Sequence, residues 1–434
     1  MGELYLKRKI DLFLSEWKKN PERKPLIVKG PRQVGKTESI RRFADQNYES
    51  VIYMNFVEEP KYKLITEDGY RAEDIIKNIS RIDPSKRFQP EKTVIIFDEI
   101  QDFASIATSL KFFKIDGRFD VICSGSLLGI NYREIESNSV GYKTDYTMSS
   151  LDFEEFLTAT GNDLLIDEIT ECYTQMSPIN EGLHQKALDL YHDYLIIGGM
   201  PEAVKAFIET NSYIDASLVQ SSIIDSYTAD MAKYASNSEA VKIRACYNSI
   251  PAQLAKDNKK FQYKVVQKGG SSSIFGASLE WLKQAGVILE CQRVDQGNMP
   301  LPVYADQTSF KIYMSDVGLL VNKSQMSVNT IITGESNIFM GAVTENYIAQ
   351  QLASKNYPLY YWTVANSQAE LDFVLQKNDK IYAIEVKKGE HVRSRSLSVF
   401  KQKYSPDYAI RFSQKNFGKT EDVISIPLYA AFLL

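Results

Sequence analysis

The sequence contains few of the residues that bind zinc or form disulfides. It has four cysteines, at positions 123, 172, 246 and 291, and three histidines, at positions 184, 192 and 391. No two cysteines are spaced as Cys-x-x-Cys, so a structural zinc site is not expected. Widely separated thiols are typical of a reducing compartment, and we therefore expect a cytoplasmic protein.

Long apolar runs are missing as well. No apolar segment reaches the roughly 18 residues that a membrane-spanning helix needs, so no membrane partner is expected. The first residues, MGELYLKRKIDLFLSEW, carry charges throughout and lack the apolar core of a signal peptide. The chain has 434 residues, of which 44% are hydrophobic and 24% charged. These values are typical of a soluble protein of about two to four domains.

Neither sign of charge is in large excess. The formal net charge is −4, which excludes a uniformly basic surface for nucleic acid but allows a local basic patch.

A phosphate-binding loop is the most specific motif. An apolar strand at residues 25–28 precedes GPRQVGKT, and a segment with helical apolar spacing follows it. This is the GxxxxGK[ST] pattern between a strand and a helix, whereas a chance glycine-rich turn would lack these flanks. The pattern predicts that backbone amides surround phosphate oxygens, that Lys36 contacts the β- and γ-phosphates, and that Thr37 binds Mg²⁺. The predicted ATP-binding residues are Gly30, Pro31, Arg32, Gln33, Val34, Gly35, Lys36 and Thr37.

Two further apolar runs end in polar residues. TVIIFDEIQ at 93–101 ends its apolar part at Asp98 and Glu99, and FDVICSGS at 119–126 ends at Ser126. Ligands bind at the carboxyl ends of strands in open α/β sheets. We therefore expect Asp98 to hold Mg²⁺, Glu99 to activate the attacking water and Ser126 to sense the γ-phosphate. The alternatives are a helix N-cap for the acids and a plain strand-end turn for the serine.

The segments GPRQVGKT, IIFDEIQ, ICSGS, LDFEEFL and GGMPEAV together resemble a prokaryotic group of AAA+-type ATPases. Members of that group usually carry a C-terminal domain of unknown function. The resemblance implies a P-loop NTPase fold with a parallel sheet, ATP hydrolysis, and an arginine from a neighbouring subunit at the site. Arg118 and Arg133 are both candidates for that arginine, which would require an oligomer.

The middle of the chain has the element order of a winged helix. The helical runs IPAQLAKD and SSIFGASLEWLKQAGVI precede two strand-like runs that flank DQGNMPLP. The family resemblance implies the same fold, and winged helices often enter the DNA major groove. The candidate recognition helix has one base, Lys283, and one acid, Glu280. A DNA reader and a partner-binding module therefore both stay open.

Residues 369–389 are predicted to form a hairpin with charged residues on one face. A two-residue turn at Asn378-Asp379 would pair Lys377 with Lys380, Asp372 with Glu385, and Glu370 with Lys387. The alternate residues, among them Leu371 and Phe373, are apolar and would face the core. Two opposed carboxylates repel unless a cation lies between them.

With a helical carboxylate at Glu345, this arrangement resembles the PD-(D/E)XK nuclease core. The resemblance implies that Glu345, Asp372 and Glu385 bind Mg²⁺, and that Glu385 and Lys387 act in phosphodiester cleavage. The alternative is a structural ion cluster, in which Glu370 ties up Lys387. The basic residues that follow could track a phosphate backbone or form a solvated helix face; they are Lys388, Arg393, Arg395, Lys401 and Lys403.

We therefore expect an α/β protein of three modules. Residues 1–205 would form a P-loop AAA+-type ATPase, residues 206–330 a helical and winged-helix region, and residues 331–434 a small α/β PD-(D/E)XK-like domain. The expected cofactors are ATP and Mg²⁺. Three functions stay open: an ATP-controlled nuclease acting on DNA or RNA, a nucleotide-switched binding protein, and an ATP-driven remodeller of other proteins.

Overall fold

The computed structural model describes residues 4–126, 139, 141–257, 259–333, 339–364, 369–389, 395–420 and 422–434. The chain divides into two compact units. Residues 7–149 and 284–286 form the N-terminal unit, and residues 150–283 and 287–434, with the chain before Lys7, form the C-terminal unit. This division at 149/150 lies well before the predicted boundary at 205, so LDFEEFL and GGMPEAV belong to the C-terminal unit.

A parallel five-stranded sheet forms the centre of the N-terminal unit. Its strands are β1 (Leu26–Lys29), β2 (Ser50–Asn55), β3 (Thr93–Asp98), β4 (Asp120–Gly125) and β5 (Thr144–Thr147), in the order β2-β3-β4-β1-β5. The helices are α1 (Lys9–Lys19), α2 (Lys36–Asn47), α3 (Ala72–Ile82) and α4 (Leu110–Asp116), with short 3₁₀ segments at Pro60–Thr66 and Ile100–Ser109. Every residue of β3 is buried, as expected for an apolar strand inside a parallel sheet. The predicted α/β class with a parallel P-loop-type sheet is confirmed for this unit.

The C-terminal unit begins with helices and ends with an eight-stranded mixed sheet. Its helices are α5 (Phe153–Ala159), α6 (Asp163–Gln175), α7 (Glu181–Ile197), α8 (Pro201–Thr210), α9 (Tyr213–Lys233), α10 (Asn237–Leu254), α11 (Tyr263–Val266), α12 (Ser272–Gln284), α13 (Val317–Ser324), α14 (Val328–Ile332), α15 (Met340–Ser354) and α16 (Arg395–Tyr404). Its strands are β6 (Ile288–Val294), β7 (Ala305–Met314), β8 (Leu359–Thr363), β9 (Glu370–Lys377), β10 (Lys380–Val386), β11 (Tyr408–Ser413), β12 (Gly418–Lys419) and β13 (Ile424–Pro427). Short 3₁₀ segments lie at Leu301–Tyr304 and Leu428–Leu433.

The hairpin that the sequence suggested as a wing is part of this sheet. The strand order is β12-β13-β11-β10-β9-β8-β6-β7. Strand β6 pairs with β7 on one side and runs parallel to β8 on the other, with Cys291 opposite Leu359. The hairpin therefore extends the C-terminal sheet across the predicted boundary at 330, and the winged-helix interpretation stays a prediction.

The β9–β10 hairpin has the predicted turn. Lys377 pairs with Lys380, and Asn378 and Asp379 have φ values of 50° and 54°, which matches a two-residue turn with both residues in the left-handed region. The strict alternation of faces is wrong at the start of β9, where the register with β8 shifts. Leu371 packs in an apolar cluster with Phe400 of α16, whereas the Phe373 ring lies 5.9 Å from that of Tyr313.

The Gly198-Gly199 turn ties the helices of the C-terminal unit to its sheet. The Gly199 amide donates to Asp316 at 2.8 Å, and its carbonyl accepts from the Leu151 amide at 2.7 Å. Gln350 of α15 also donates to Asp316, at 3.3 Å. The bond between Leu151 and Gly199 joins LDFEEFL to GGMPEAV and satisfies one backbone group of each.

None of the helices in the described ranges combines the length and the apolar character that a membrane crossing needs.

Replacing Gly199 by alanine is expected to destabilise the C-terminal unit. A Cβ atom there would lie 1.9 Å from the Leu151 carbonyl oxygen, so backbone must shift at a cost of roughly 1–3 kcal/mol. Gly341→Ala is the matched control, because a Cβ atom at Gly341 meets no atom of the described residues within 4 Å. Thermal unfolding should show a lower melting temperature for Gly199→Ala alone, and equal melting temperatures for both variants would contradict the close approach.

Candidate functional site

The loop between β1 and α2 has a backbone that glycine makes accessible. Gly30 has a φ of 152° and Gly35 a φ of 91°, both in the region that other residues rarely adopt. A Cβ atom on Gly30 would lie 2.0 Å from the carbonyl oxygen of Met148. Helix α2 begins at Lys36, so its first amides and its positive dipole end face the loop. This is the geometry of an anion-binding loop.

The side chain of Lys36 is buried and folded back onto this loop. Its Nζ atom donates to the carbonyl oxygens of Gly30 at 2.9 Å and Pro31 at 2.6 Å. Burial lowers the pKa of Lys36 to about 8, although the charges of Glu99 and Asp98 oppose that shift. A nearby polyanion would favour the charged form, so the loop holds a lysine suited to phosphate.

The carboxylate of Asp98 collects four donors at the end of β3. One oxygen, Oδ2, accepts from the Thr37 hydroxyl at 3.0 Å and the Tyr53 hydroxyl at 2.7 Å. The other, Oδ1, accepts from the Ser124 hydroxyl and from the Glu99 amide. The structure thus places Thr37 and Asp98, two predicted Mg²⁺ ligands, in direct contact. Tyr53 and Ser124 carry no sequence signal for this role, and they contact Asp98 from the neighbouring strands β2 and β4.

Glu99 and Ser126 are linked by Gln101, which the sequence analysis missed. Glu99 has a φ of 56° and a ψ of 43°, a strained conformation of the kind that clusters at functional sites. Gln101 donates to the Glu99 carboxylate and accepts from the Ser126 amide at 3.3 Å. The Ser126 hydroxyl is buried and, among the described residues, has no hydrogen-bond partner. A buried polar atom without a partner is costly unless a ligand satisfies it.

The structure describes one of the two arginine candidates. Arg118 forms an ion pair with Asp116 at 2.7 Å, and this pairing raises its pKa. Arg133 lies outside the described residues.

The acids of the C-terminal unit form a second cluster. Glu345 on α15 is buried and accepts from Lys311 at 2.9 Å, as well as from Tyr313 and Lys259. Lys311 also pairs with Glu370 at 2.6 Å. Burial raises the pKa of Glu345, but the two ammonium groups outweigh it and hold that pKa below its usual range. The alternative in which Glu370 ties up Lys387 is wrong, because Glu370 pairs with Lys311 and Lys387 pairs with Glu385.

The remaining predicted residues of this cluster have other partners. Asp372 accepts from the Val386 amide at 2.8 Å, and burial, with the charge of Glu345, raises its pKa to about 6. Glu385 is buried and pairs with Lys387 at 3.0 Å and Arg411 at 3.5 Å.

The predicted metal ligands Glu345, Asp372 and Glu385 do not form a metal-binding group. Within the described ranges, no group of three or more histidine, cysteine, aspartate or glutamate side chains could hold a metal ion. The physical reason is that lysines and an arginine neutralise Glu345 and Glu385. Lys259 and Lys311 precede the predicted nuclease-like segment, and their sequence spacing gives no signal of this contact.

The basic residues after Lys387 are partly described. Lys388, Arg395 and Lys403 are exposed, and Lys401 pairs with Asp422 at 3.3 Å. Arg393 lies outside the described residues.

Three family models match parts of the chain. The model described as "AAA domain" matches residues 22–157. The model "Domain of unknown function (DUF8612)" matches residues 188–330, and "Domain of unknown function (DUF4143)" matches residues 340–429. The chain therefore contains an AAA-type P-loop domain. The prediction of an AAA-type P-loop domain is confirmed for residues 22–157, whereas ATP hydrolysis stays a prediction, and the C-terminal part is matched only as a domain of unknown function.

Several solved structures are remotely similar to the chain. A Walker-type ATPase of Pyrococcus abyssi is 13% identical with a TM-score of 0.45, over 74% of this chain and 97% of that one. Domain III of the Thermotoga maritima replication initiation protein DnaA is 15% identical with a TM-score of 0.31, over 51% and 95%. The Aeropyrum pernix ORC1 protein in complex with DNA is 9% identical with a TM-score of 0.29, over 76% and 91%. No curated protein matches the chain.

Replacing Tyr53 by phenylalanine is expected to remove one of the four hydrogen bonds that orient the Asp98 carboxylate. The lost hydrogen bond to a charged group should lower the free energy of unfolding by about 1.5–3 kcal/mol. Tyr48→Phe is the matched control, since the Tyr48 hydroxyl donates to Asp120 at 2.7 Å in the same unit. Chemical unfolding should show similar losses for both variants, and only Tyr53→Phe should raise the Mg²⁺ concentration needed for ATP binding. An unchanged Mg²⁺ requirement would contradict a role for Tyr53 in orienting Asp98.

Proposed function

We propose that the N-terminal unit binds ATP with Mg²⁺ and hydrolyses it to ADP and phosphate. Water attacks the γ-phosphorus, and the bond to the β–γ bridging oxygen breaks as ADP leaves. One observation carries the proposal: a buried lysine, Lys36, lies inside a glycine loop beside the contact between Thr37 and Asp98. Backbone amides, a cation and two oxygen ligands are the parts that phosphoryl transfer requires.

The residues present fit ATP and Mg²⁺. Gly30 leaves the backbone open where a Cβ atom would collide with Met148, and the Ser126 hydroxyl is a buried donor with no partner among the described residues. Thr37 and Asp98 would hold Mg²⁺, which would neutralise charge on the phosphates when bound. These features support the roles that the sequence predicts for Gly30, Pro31, Arg32, Gln33, Val34, Gly35, Lys36 and Thr37.

The mechanism that we propose uses three side chains at the carboxyl end of the sheet. Lys36 exchanges its contacts with the loop carbonyls for the β- and γ-phosphate oxygens. Glu99 accepts a proton from the attacking water, and its bond to Gln101 keeps the carboxylate oriented. Ser126 donates its hydroxyl to a γ-phosphate oxygen. An arginine from a second copy, Arg118 or Arg133, would complete the charge stabilisation, so that turnover would depend on assembly.

Lys36→Ala should abolish ATP binding and hydrolysis. The variant removes the only side chain whose ammonium lies within the glycine loop in the described ranges, and binding should fall below detection in a titration with a fluorescent ATP analogue. Lys92→Ala is the control, because Lys92 is an exposed lysine of the same unit that pairs with Glu49. Retained ATP binding in Lys36→Ala would overturn the proposal.

Glu99→Gln is expected to separate ATP binding from ATP hydrolysis, which the same titration and an assay of phosphate release measure. It keeps the shape of the side chain but removes the base, so ATP binding should persist while phosphate release falls by about 100-fold or more. Unchanged phosphate release would remove Glu99 from the mechanism.

We also propose that the C-terminal unit contacts nucleic acid through the outer face of α16. Leu397 and Phe400 of this helix are buried, whereas Arg395 and Lys403 are exposed. Lys388 precedes the helix and is also exposed. An amphipathic helix with a basic outer face supports contact with a phosphate backbone. Under this proposal, nucleotide binding by the N-terminal unit controls nucleic-acid binding by the C-terminal unit. The competing outcome is that the C-terminal unit binds a protein partner instead.

Arg395→Glu and Lys403→Glu should weaken DNA binding. Each lost phosphate contact should reduce the slope of log affinity against log salt by about 1, which fluorescence anisotropy at several salt concentrations measures. Lys419→Glu controls for the change in net charge, because Lys419 is exposed on β12. If the three variants lose affinity equally, or if the protein binds no DNA at low salt, α16 is not the interface.

A further inference from the structure

A fully buried lysine lies at the centre of the acid cluster in the C-terminal unit. Lys311 belongs to β7, the last strand of the sheet, and its side chain has an exposed fraction of 0%. The side chain crosses the face of the sheet, so that Nζ lies 4.8 Å from the centre of the Tyr361 ring on β8. It ends 2.6 Å from Glu370 on β9 and 2.9 Å from Glu345 on α15. One ammonium group thus joins three elements.

Both oxygens of the Glu345 carboxylate are already in use. Oε1 accepts from Lys311 and Tyr313, and Oε2 accepts from Lys259. Burying a carboxylate is costly unless cations and hydrogen bonds compensate it, and this set supplies both. The cluster is therefore satisfied by protein groups.

The neighbouring acids offer too few oxygen ligands for a divalent cation. Asp372 accepts a backbone amide from Val386, and Glu385 is held between Lys387 and Arg411. Divalent cations such as Mg²⁺ need several oxygen ligands at once. Both carboxylate oxygens of Glu345 and of Glu385 face ammonium or guanidinium groups, and Oδ2 of Asp372 accepts an amide. The residues present do not fit the divalent metal.

We infer that the cluster is a resident-lysine site: the Lys311 ammonium takes the place in which the nuclease resemblance puts a divalent metal, and the C-terminal unit does not cleave phosphodiesters. The inference is independent of ATP binding by the N-terminal unit. It deepens the proposed nucleic-acid contact by making it binding without cleavage. Through its ion pairs with Glu345 and Glu370, Lys311 connects the β6–β7 hairpin to α15 and β9.

The direct test is metal binding by the full chain without nucleotide. In a Mn²⁺ titration followed by electron paramagnetic resonance, the wild-type chain and Glu345→Gln should bind the same amount of Mn²⁺, because none is bound at this cluster. Incubation with single-stranded and plasmid DNA in Mg²⁺ or Mn²⁺ should leave both intact. Mn²⁺ binding that is lost in Glu345→Gln, or cleavage that is lost in Glu385→Ala, would overturn the inference while leaving ATP binding untouched.

The stability of two variants tests the role of Lys311 itself. Lys311→Met leaves Glu345 and Glu370 short of a cation and should lower the melting temperature by roughly 6 °C or more. The double variant Lys311→Met with Glu345→Gln removes one of those charges and should melt higher than Lys311→Met alone. Lys380→Met is the control, since Lys380 lies exposed at the hairpin turn. An unchanged melting temperature in Lys311→Met, or a double variant that melts lower than the single one, would contradict the resident-lysine site.

Discussion

Four hydrogen bonds meet on the carboxylate of Asp98, and the arrangement of the nucleotide site depends on them. They come from Thr37 after the glycine loop, from Tyr53 on β2, from Ser124 on β4 and from the Glu99 amide. The parallel sheet makes this convergence possible, because β2, β3 and β4 are adjacent and end at the same edge. A carboxylate held from both sides is oriented before any ligand arrives.

The chain uses carboxylates in two opposite ways. In the N-terminal unit, neutral hydroxyl and amide groups hold Asp98, and the nearby cation Lys36 bonds only to carbonyl oxygens in the described ranges. In the C-terminal unit, ammonium groups bind the acids directly and neutralise them. The first arrangement leaves cations and donors available for phosphate, whereas the second is complete without a ligand. Similar residue types are therefore open to a ligand in one unit and bound to one another in the other.

Local motifs could be predicted from the sequence, and long-range contacts could not. The glycine loop, the acidic end of β3 and the turn at Asn378-Asp379 were all predictable, because each depends on neighbouring residues. Tyr53 and Gln101 were missed because only the fold brings them to Asp98 and Ser126. Lys311 was missed because it lies 34 residues before Glu345 on a hairpin that resembled a wing. The register shift between β8 and β9 has no sequence signal of its own and moved Leu371 to the other face.

The membership of β6 and β7 in the C-terminal sheet sets a limit on how the protein can be divided. A fragment that starts at residue 331 would lose both strands and leave β8 as a bare edge, with unpaired backbone groups ready to join another chain. It would also carry buried acids without the lysine that balances them. Such a piece would be prone to aggregate, whereas one that begins ahead of β6 keeps the whole sheet and its internal counter-ion together.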